Sequence, residues 1–310
     1  MTGAAISTSA LVKRYGRRRA LDGFTLAVPQ GAVMGLVGPN GAGKTTWMMC
    51  VAGFLRPTDG TIDVLGRGPF NASVHSGRLS ILPQDSALPL EANPRALLYR
   101  YGRLQGLSAE VSRASTAEVL AAMNLADRAD STIRSLSHGM RKRVMLAQCF
   151  IGSPEVVLLD EPLNGLDPAE QSRMRNFILA RRGRQTIVVS SHNLNDVEIL
   201  CTHVAFVENG RVVRMATVRD ITSAAGRVVY TLAAAPADPS ALVEALSSAL
   251  PGAAFSWKGE AELACDFAAS GADVAAVNAA LLPVLIGKAG VVSVAAGQSL
   301  EQAYLKHDSV

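Results

Sequence analysis

Short apolar runs that lack polar alternation set the frame of this chain. Residues 33–37 read VMGLV, 156–159 read VVLL within EVVLLDEP, and 188–189 read VV ahead of SSH. Such runs suit strands buried on both faces, the habit of parallel sheets. Residues 6–12, 24–28 and 61–64 read as strands of an antiparallel layer. From about 86 to 152 the pattern turns helical, with helices expected over 95–104, over 109–123, and from Ser137 to about residue 151. Strands at 204–207 and 211–216 close this part of the chain.

A change of composition at Ser223-Ala224-Ala225-Gly226 opens a second unit, rich in alanine and poor in charge. Its order is strand (228–233), helix (239–249), strands (253–257 and 262–267), helix (272–286) and strand (291–295). That order predicts a small α+β domain of the split β-α-β kind. The expected domains are therefore 1–222, with 86–152 as an inserted helical part, and 226–310.

Composition agrees: 310 residues, 49% of them hydrophobic, suffice for two cores. No charge-free apolar run approaches the roughly 18 residues that a membrane helix needs. Residues 272–286 carry Asp273, Asn278 and Pro283 and read as an amphipathic helix. The start of the sequence has no basic region followed by an apolar core, so no secretory signal is expected. Cys50, Cys149, Cys201 and Cys265 show no C-x-x-C spacing and are expected as buried free thiols in a reducing compartment. A net charge of +4 is mild. The clusters Arg17-Arg18-Arg19 and Arg181-Arg182-Gly183-Arg184 read as solvated faces rather than a surface for lipid or nucleic acid.

The chemistry begins where the first apolar run ends. Gly38-Pro39-Asn40-Gly41-Ala42-Gly43-Lys44-Thr45-Thr46 fits G-x-x-x-x-G-K-[ST] between a strand and a helix expected over 45–51. Glycines let the backbone curl so that successive N–H groups face an anion at a helix N-terminus. Lys44 then reaches β- and γ-phosphates, and the Thr45 hydroxyl ligates Mg²⁺. The run 156–159 ends on Asp160 and Glu161, stopped by Pro162. Asp160 emerges where ligands of open α/β sheets collect and is placed to hold Mg²⁺ through water. Glu161 is placed to polarise a water in line with the γ-phosphate.

Further motifs turn this chemistry into a resemblance. Gln84 lies in Ile81-Leu82-Pro83-Gln84-Asp85, Ser137 and Gly139 in Leu136-Ser137-His138-Gly139-Met140, and His192 in Val188-Val189-Ser190-Ser191-His192. Tyr15 lies in Lys13-Arg14-Tyr15-Gly16, and Asn164-Gly165-Leu166-Asp167 follows the acidic pair. In this order, over roughly the first 215 residues, the chain resembles the nucleotide-binding subunit of an ATP-binding cassette protein. The resemblance implies a P-loop NTPase cassette with a parallel sheet core, an antiparallel β layer and an inserted helical subdomain at 86–152. It implies ATP and Mg²⁺ as cofactors, with Tyr15 stacking on adenine, Gln84 ligating Mg²⁺ and His192 meeting the γ-phosphate.

It further implies that Ser137 and Gly139 act on the ATP of an opposing protomer, so that two subunits sandwich two nucleotides. A groove near 87–98, bordered by Gln84, is expected to take a helix of a membrane permease, placing the subunit on the cytoplasmic face. The stretch 299–305 resembles the closing helix of bacterial subunits that serve separately encoded export permeases. Two residues depart from the pattern: His138 stands where glycine is common and Met140 where glutamine is common. A cassette ATPase working on nucleic acid, ribosomes or a cluster-assembly scaffold is the alternative. No long heptad run supports chromosome work, and one cassette rather than two argues against ribosomes.

Overall fold

The structure, a computed structural model, describes residues 3–223, 226–257, 259–267, 270–296 and 300, with the side chains of 222, 223 and 296 set aside. The chain divides into two compact units, Met1–Met215 and Ala216–Val310. The division anticipated at 222/226 falls a few residues later, and residues 224 and 225 lie outside the described set.

The first unit opens with β1 (Ala4–Tyr15), β2 (Arg18–Pro29), β3 (Val33–Val37), α1 (Lys44–Val51), β4 (Asp59–Val64), α2 (Ala72–His75) and β5 (Leu79–Leu82). The inserted helices follow as α3 (Pro94–Leu104), α4 (Ala109–Ala122) and α5 (His138–Gln148). Then come β6 (Val156–Asp160), α6 (Pro168–Leu179), β7 (Thr186–Ser191), α7 (Leu194–Leu200), β8 (His203–Glu208) and β9 (Arg211–Thr217).

Two sheets result. β2-β1-β4 is an antiparallel layer, and the second sheet runs β5-β6-β7-β3-β8-β9. Within it β5, β6, β7, β3 and β8 are parallel. Every residue of β3, β6 and β7 is buried, as runs without alternation require. The register sets Val37 beside Ser191 and Asp160 beside Ser190. The loops leaving β3, β6 and β7 therefore open at one sheet edge, the usual ligand edge of such folds.

Helix α1 ties the layers together. Trp47 is fully buried, stacks on Phe24 with ring centroids 5.8 Å apart, and donates from Nε1 to Thr8 Oγ1 at 3.1 Å. Burying side chains of this size contributes roughly 1.5–3 kcal/mol each and holds the phosphate loop's helix against the antiparallel layer.

The inserted helices start on side-chain caps. Asn93 Oδ1 accepts from Ala96 N at 2.7 Å ahead of Pro94, and Ser108 Oγ accepts from Val111 N at 3.1 Å. α5 stops at Gln148, short of the expected 151, because Cys149 and Phe150 turn tightly onto Leu146 O and Ala147 O before Gly152 at φ 74°. Arg143, 3% exposed, donates to Met123 O (2.7 Å) and Asn124 O (3.1 Å) at the end of α4. Its Nε also lies 2.9 Å from Glu170 Oε2, which joins α5 to α6.

The second unit carries α8 (Val218–Ser223), β10 (Arg227–Leu232), α9 (Pro239–Ala249), β11 (Ala254–Trp257), β12 (Glu262–Asp266), α10 (Val274–Lys288) and β13 (Val291–Ala296). Its strands pair antiparallel in the order β11-β12-β10-β13, the arrangement of a split β-α-β domain. Leu242 and Leu246 of α9, with Val277, Leu281 and Leu285 of α10, close the core over Val228, Tyr230 and Leu263. α10 begins later than 272 because Asp273 is its N-cap, accepting from Ala276 N at 2.8 Å. All four cysteines are free and buried. The closing helix expected at 299–305 lies outside the described residues except for Leu300.

Candidate active site

The phosphate loop leaves β3 and wraps the start of α1. Lys44 is 6% exposed and its ammonium donates to Gly38 O at 2.6 Å and Pro39 O at 3.0 Å. Burial holds this ammonium below the ordinary lysine range, against the opposing pull of Glu161 and then Asp160. Gly43 shows why the loop needs glycine: φ is 111°, and a Cβ would sit 2.7 Å from Ala20 O. Backbone bonds from Gly210 N to Ala42 O and from Asp22 N to Gly210 O, both 2.9 Å, pin the loop between β2 and the β8–β9 turn.

A cavity of about 530 Å³ opens over this loop, a size suited to a nucleotide. Asn40, Gly41, Gly43, Lys44, Thr45 and Thr46 line it from the loop. Tyr15, half exposed, lines it from β1, and Gln84, Asp160 and Glu161 line it from the ends of β5 and β6. Gly38, Pro39 and Ala42 shape the loop instead: two of their carbonyls hold Lys44, and Ala42 N donates to Pro39 O at 3.2 Å.

The carboxylates are held from β7. Ser190 Oγ donates to Asp160 Oδ1 and accepts from Glu161 N at 2.9 Å. Glu161 adopts a left-handed backbone, φ 50°, uncommon for a residue other than glycine, asparagine or aspartate and worth roughly 1–3 kcal/mol of strain. His192 Nδ1 lies 2.8 Å from Glu161 Oε2 and 3.1 Å from Oε1. Asp160 is 3% exposed, and among the described residues its Oδ2 has no hydrogen-bond partner. A buried oxygen of this kind, with the Thr45 hydroxyl and the Gln84 amide on the same cavity, is a donor set that fits Mg²⁺.

Ser137 and Gly139 form a separate feature. Ser137 caps α5, its Oγ accepting from Met140 N at 3.2 Å. A Cβ on Gly139 would meet Glu170 Cγ at 2.9 Å, so a side chain there would push the Glu170 side chain out of its place at the α5–α6 joint. Neither Ser137 nor Gly139 lines the cavity of its own chain.

The comparisons follow the geometry. A family model described as ABC transporter matches residues 21–164. Daunorubicin resistance ATP-binding protein DrrA3 of Streptomyces coeruleorubidus is 37% identical over 228 residues, 73% of this chain and 72% of the relative. The chain belongs to the ATP-binding subunits of ABC transporters. Nod factor export ATP-binding protein I of Paraburkholderia xenovorans is 36% identical over 216 residues, 68% of this chain and 70% of the relative. Among solved structures, an ATP-binding subunit of an ABC transporter superposes with a TM-score of 0.63 at 26% identity, covering 70% of this chain and 91% of that one. The cassette MJ1267 in its ADP conformation shares the fold, with a TM-score of 0.63 at 22% identity over 71% of this chain and 95% of its own.

As a member of this family, the subunit binds ATP and hydrolyses it in the service of transport. Some of its site residues escape a reading by motif. Ser190, fully buried, organises both carboxylates, and its one signal was the polar pair Ser190-Ser191 after the apolar residues 187–189. Gln171 Nε2 donates to Leu166 O at 3.2 Å in the loop after Glu161, and Arg175 Nη2 donates to Gln171 Oε1 at 3.0 Å. Arg175 also lies 3.3 Å from Asp196, next to the histidine loop, and no spacing along the chain pointed to that pair.

Proposed function

We propose that this subunit works on the cytoplasmic face of the membrane, driving a separately encoded export permease. Two copies, or one copy and a relative, close head to tail on two molecules of Mg²⁺-bound ATP. The observation that carries this reading is the single sheet edge at which the phosphate loop, Asp160, Glu161 and His192 meet. The placement of Ser137 and Gly139 away from the cavity of their own chain supports their action across the dimer. Relatives named for daunorubicin resistance and for Nod factor export support an outward direction of transport. Among the described residues no helix is long and apolar enough to cross a membrane.

In this mechanism Tyr15 stacks on adenine, and the loop from Gly38 to Thr46 wraps the phosphates. Lys44 exchanges its contacts with Gly38 O and Pro39 O for phosphate oxygens. Thr45, Gln84 and Asp160 would hold Mg²⁺, which would supply charge neutralisation for the phosphates. Glu161 orients and polarises the attacking water, and His192 steadies Glu161 through Nδ1 while its other nitrogen meets the γ-phosphate. The Ser137 hydroxyl and the N-terminus of α5 complete the charge stabilisation from the opposing protomer.

Glu161→Gln tests this reading. The variant is expected to bind Mg²⁺-ATP with near-normal affinity, to lose roughly 10²–10⁴-fold in turnover, and to elute as a stable dimer with ATP and a monomer with ADP. Undiminished turnover would reject the role of Glu161, and a monomer at saturating ATP would reject the sandwich.

A further inference from the structure

The run Arg17-Arg18-Arg19 reads in sequence as one solvated basic cluster, and the fold divides it into three environments. Arg17 lies in the two-residue turn Gly16-Arg17 between β1 and β2, and is exposed. Arg19 Nη1 contacts Asp22 Oδ1 at 2.5 Å, and Arg211 Nη2 holds Asp22 Oδ2 at 2.6 Å, which keeps that carboxylate below its ordinary range. Arg18 does neither. It pairs in register with Tyr15 across the hairpin and lines the cavity over the phosphate loop.

The alternation of β2 explains the division. Residues two apart share a face of a strand, and β2 runs along the loop so that position 20 abuts Gly43 while position 18 abuts Gly41. Ala20 O lies 2.7 Å from where a Gly43 Cβ would stand, and Arg18 Nη2 lies 3.3 Å from where a Gly41 Cβ would stand. Arg19 points away to its pair with Asp22. Among the described residues the Arg18 guanidinium has no ion-pair or hydrogen-bond partner. Of the charged groups on the cavity, Lys44, Asp160 and Glu161 already have partners, and Arg18 is the cation kept in reserve.

Resting on the nucleotide-binding reading above, we propose that Arg18 is a nucleotide-binding residue that clamps the polyphosphate from the hairpin side, opposite Lys44. A planar guanidinium suits this position because it forms paired charge-assisted bonds to phosphate oxygens. One hairpin then supplies both ends of the recognition, Tyr15 for the base and Arg18 for the phosphates. The β1–β2 turn is thereby ordered by triphosphate as well as by adenine.

The test is equilibrium titration of Mg²⁺-ATP, Mg²⁺-ADP and adenosine into the full-length chain and its Arg18→Ala, Arg18→Lys and Arg17→Ala variants. Arg18→Ala is expected to weaken ATP and ADP by roughly tenfold, with little change for adenosine. Arg18→Lys is expected to recover part of the loss, and Arg17→Ala to match the unsubstituted chain. Unchanged ATP affinity in Arg18→Ala overturns the proposal while leaving the nucleotide reading intact. An equal loss in Arg17→Ala also overturns it, because a diffuse basic surface then accounts for the effect. No nucleotide uptake by the unsubstituted chain sinks the parent reading and this one together. Far-ultraviolet circular dichroism and melting curves show whether each variant is folded, and Arg18→Gln replaces the alanine variant if that one melts early.

Discussion

Glu161 and the four thiols show what burial does to single residues. Glu161 keeps its strained φ because Ser190 holds its N–H and the neighbouring Asp160 together, so the carboxylate is aimed before substrate arrives. The cysteines are aimed at nothing. Burial pushes the thiols of Cys50 and Cys265 up to about 11, and those of Cys149 and Cys201 to about 12. The unfolded chain releases these protons near pH 9, before the folded one does, so the thiols withdraw stability as pH climbs from about 9 towards 12. At pH 8 a thiol reagent is expected to label none of the four in the native protein and all four after denaturation. Rapid native labelling of any one would contradict the packing around it. Their inertness was legible in sequence, since no spacing offered a disulfide or metal use for them. The service of Ser190 was not, because it acts on residues 30 and 29 positions away.

Between elements, the decisive joint is that of α4, α5 and α6. Arg143 spends its donors on two carbonyls of α4 and on Glu170, while Gly139 makes room for that same carboxylate. Arg143→Met is expected to leave the half-buried Glu170 with only the more distant Arg173, 3.6 Å away, and to lower the melting temperature by several degrees. An unchanged melting curve would show the joint to be solvated. A second tie runs from the expected permease groove towards the loop that carries Ser137: Ile133 N donates to Ala92 O and Arg134 N to Leu90 O, each at 2.9 Å. The helices themselves were readable from periodicity and caps. Their exact starts were less so, because Asp273 reads equally well as helix or cap until the chain's φ and its bond to Ala276 N are known. Asp167, the last residue of the motif after the acidic pair, likewise proves to cap α6 by accepting from Glu170 N at 2.9 Å.

At the scale of the whole molecule, Gln84 stands where the nucleotide cavity meets the inserted helices. Replacing it with alanine is expected to lower transport through the reconstituted permease far more than it lowers ATP hydrolysis, so that the two are uncoupled. Full export at normal hydrolysis would detach Gln84 from coupling. The amino-acid sequence by itself determined the phosphate loop, the acidic pair, the motifs around Ser137 and His192 and the strand-helix order of the second unit, because each depends on residues adjacent in the chain. Tertiary structure alone decided that Ser190 braces the carboxylates, that Arg143 and Glu170 lock three helices, and that of three consecutive arginines the middle one faces the cavity. Those outcomes depend on strand register and on which face of each element meets its neighbour. Both are properties of packing between distant segments, to which no local pattern of residues responds.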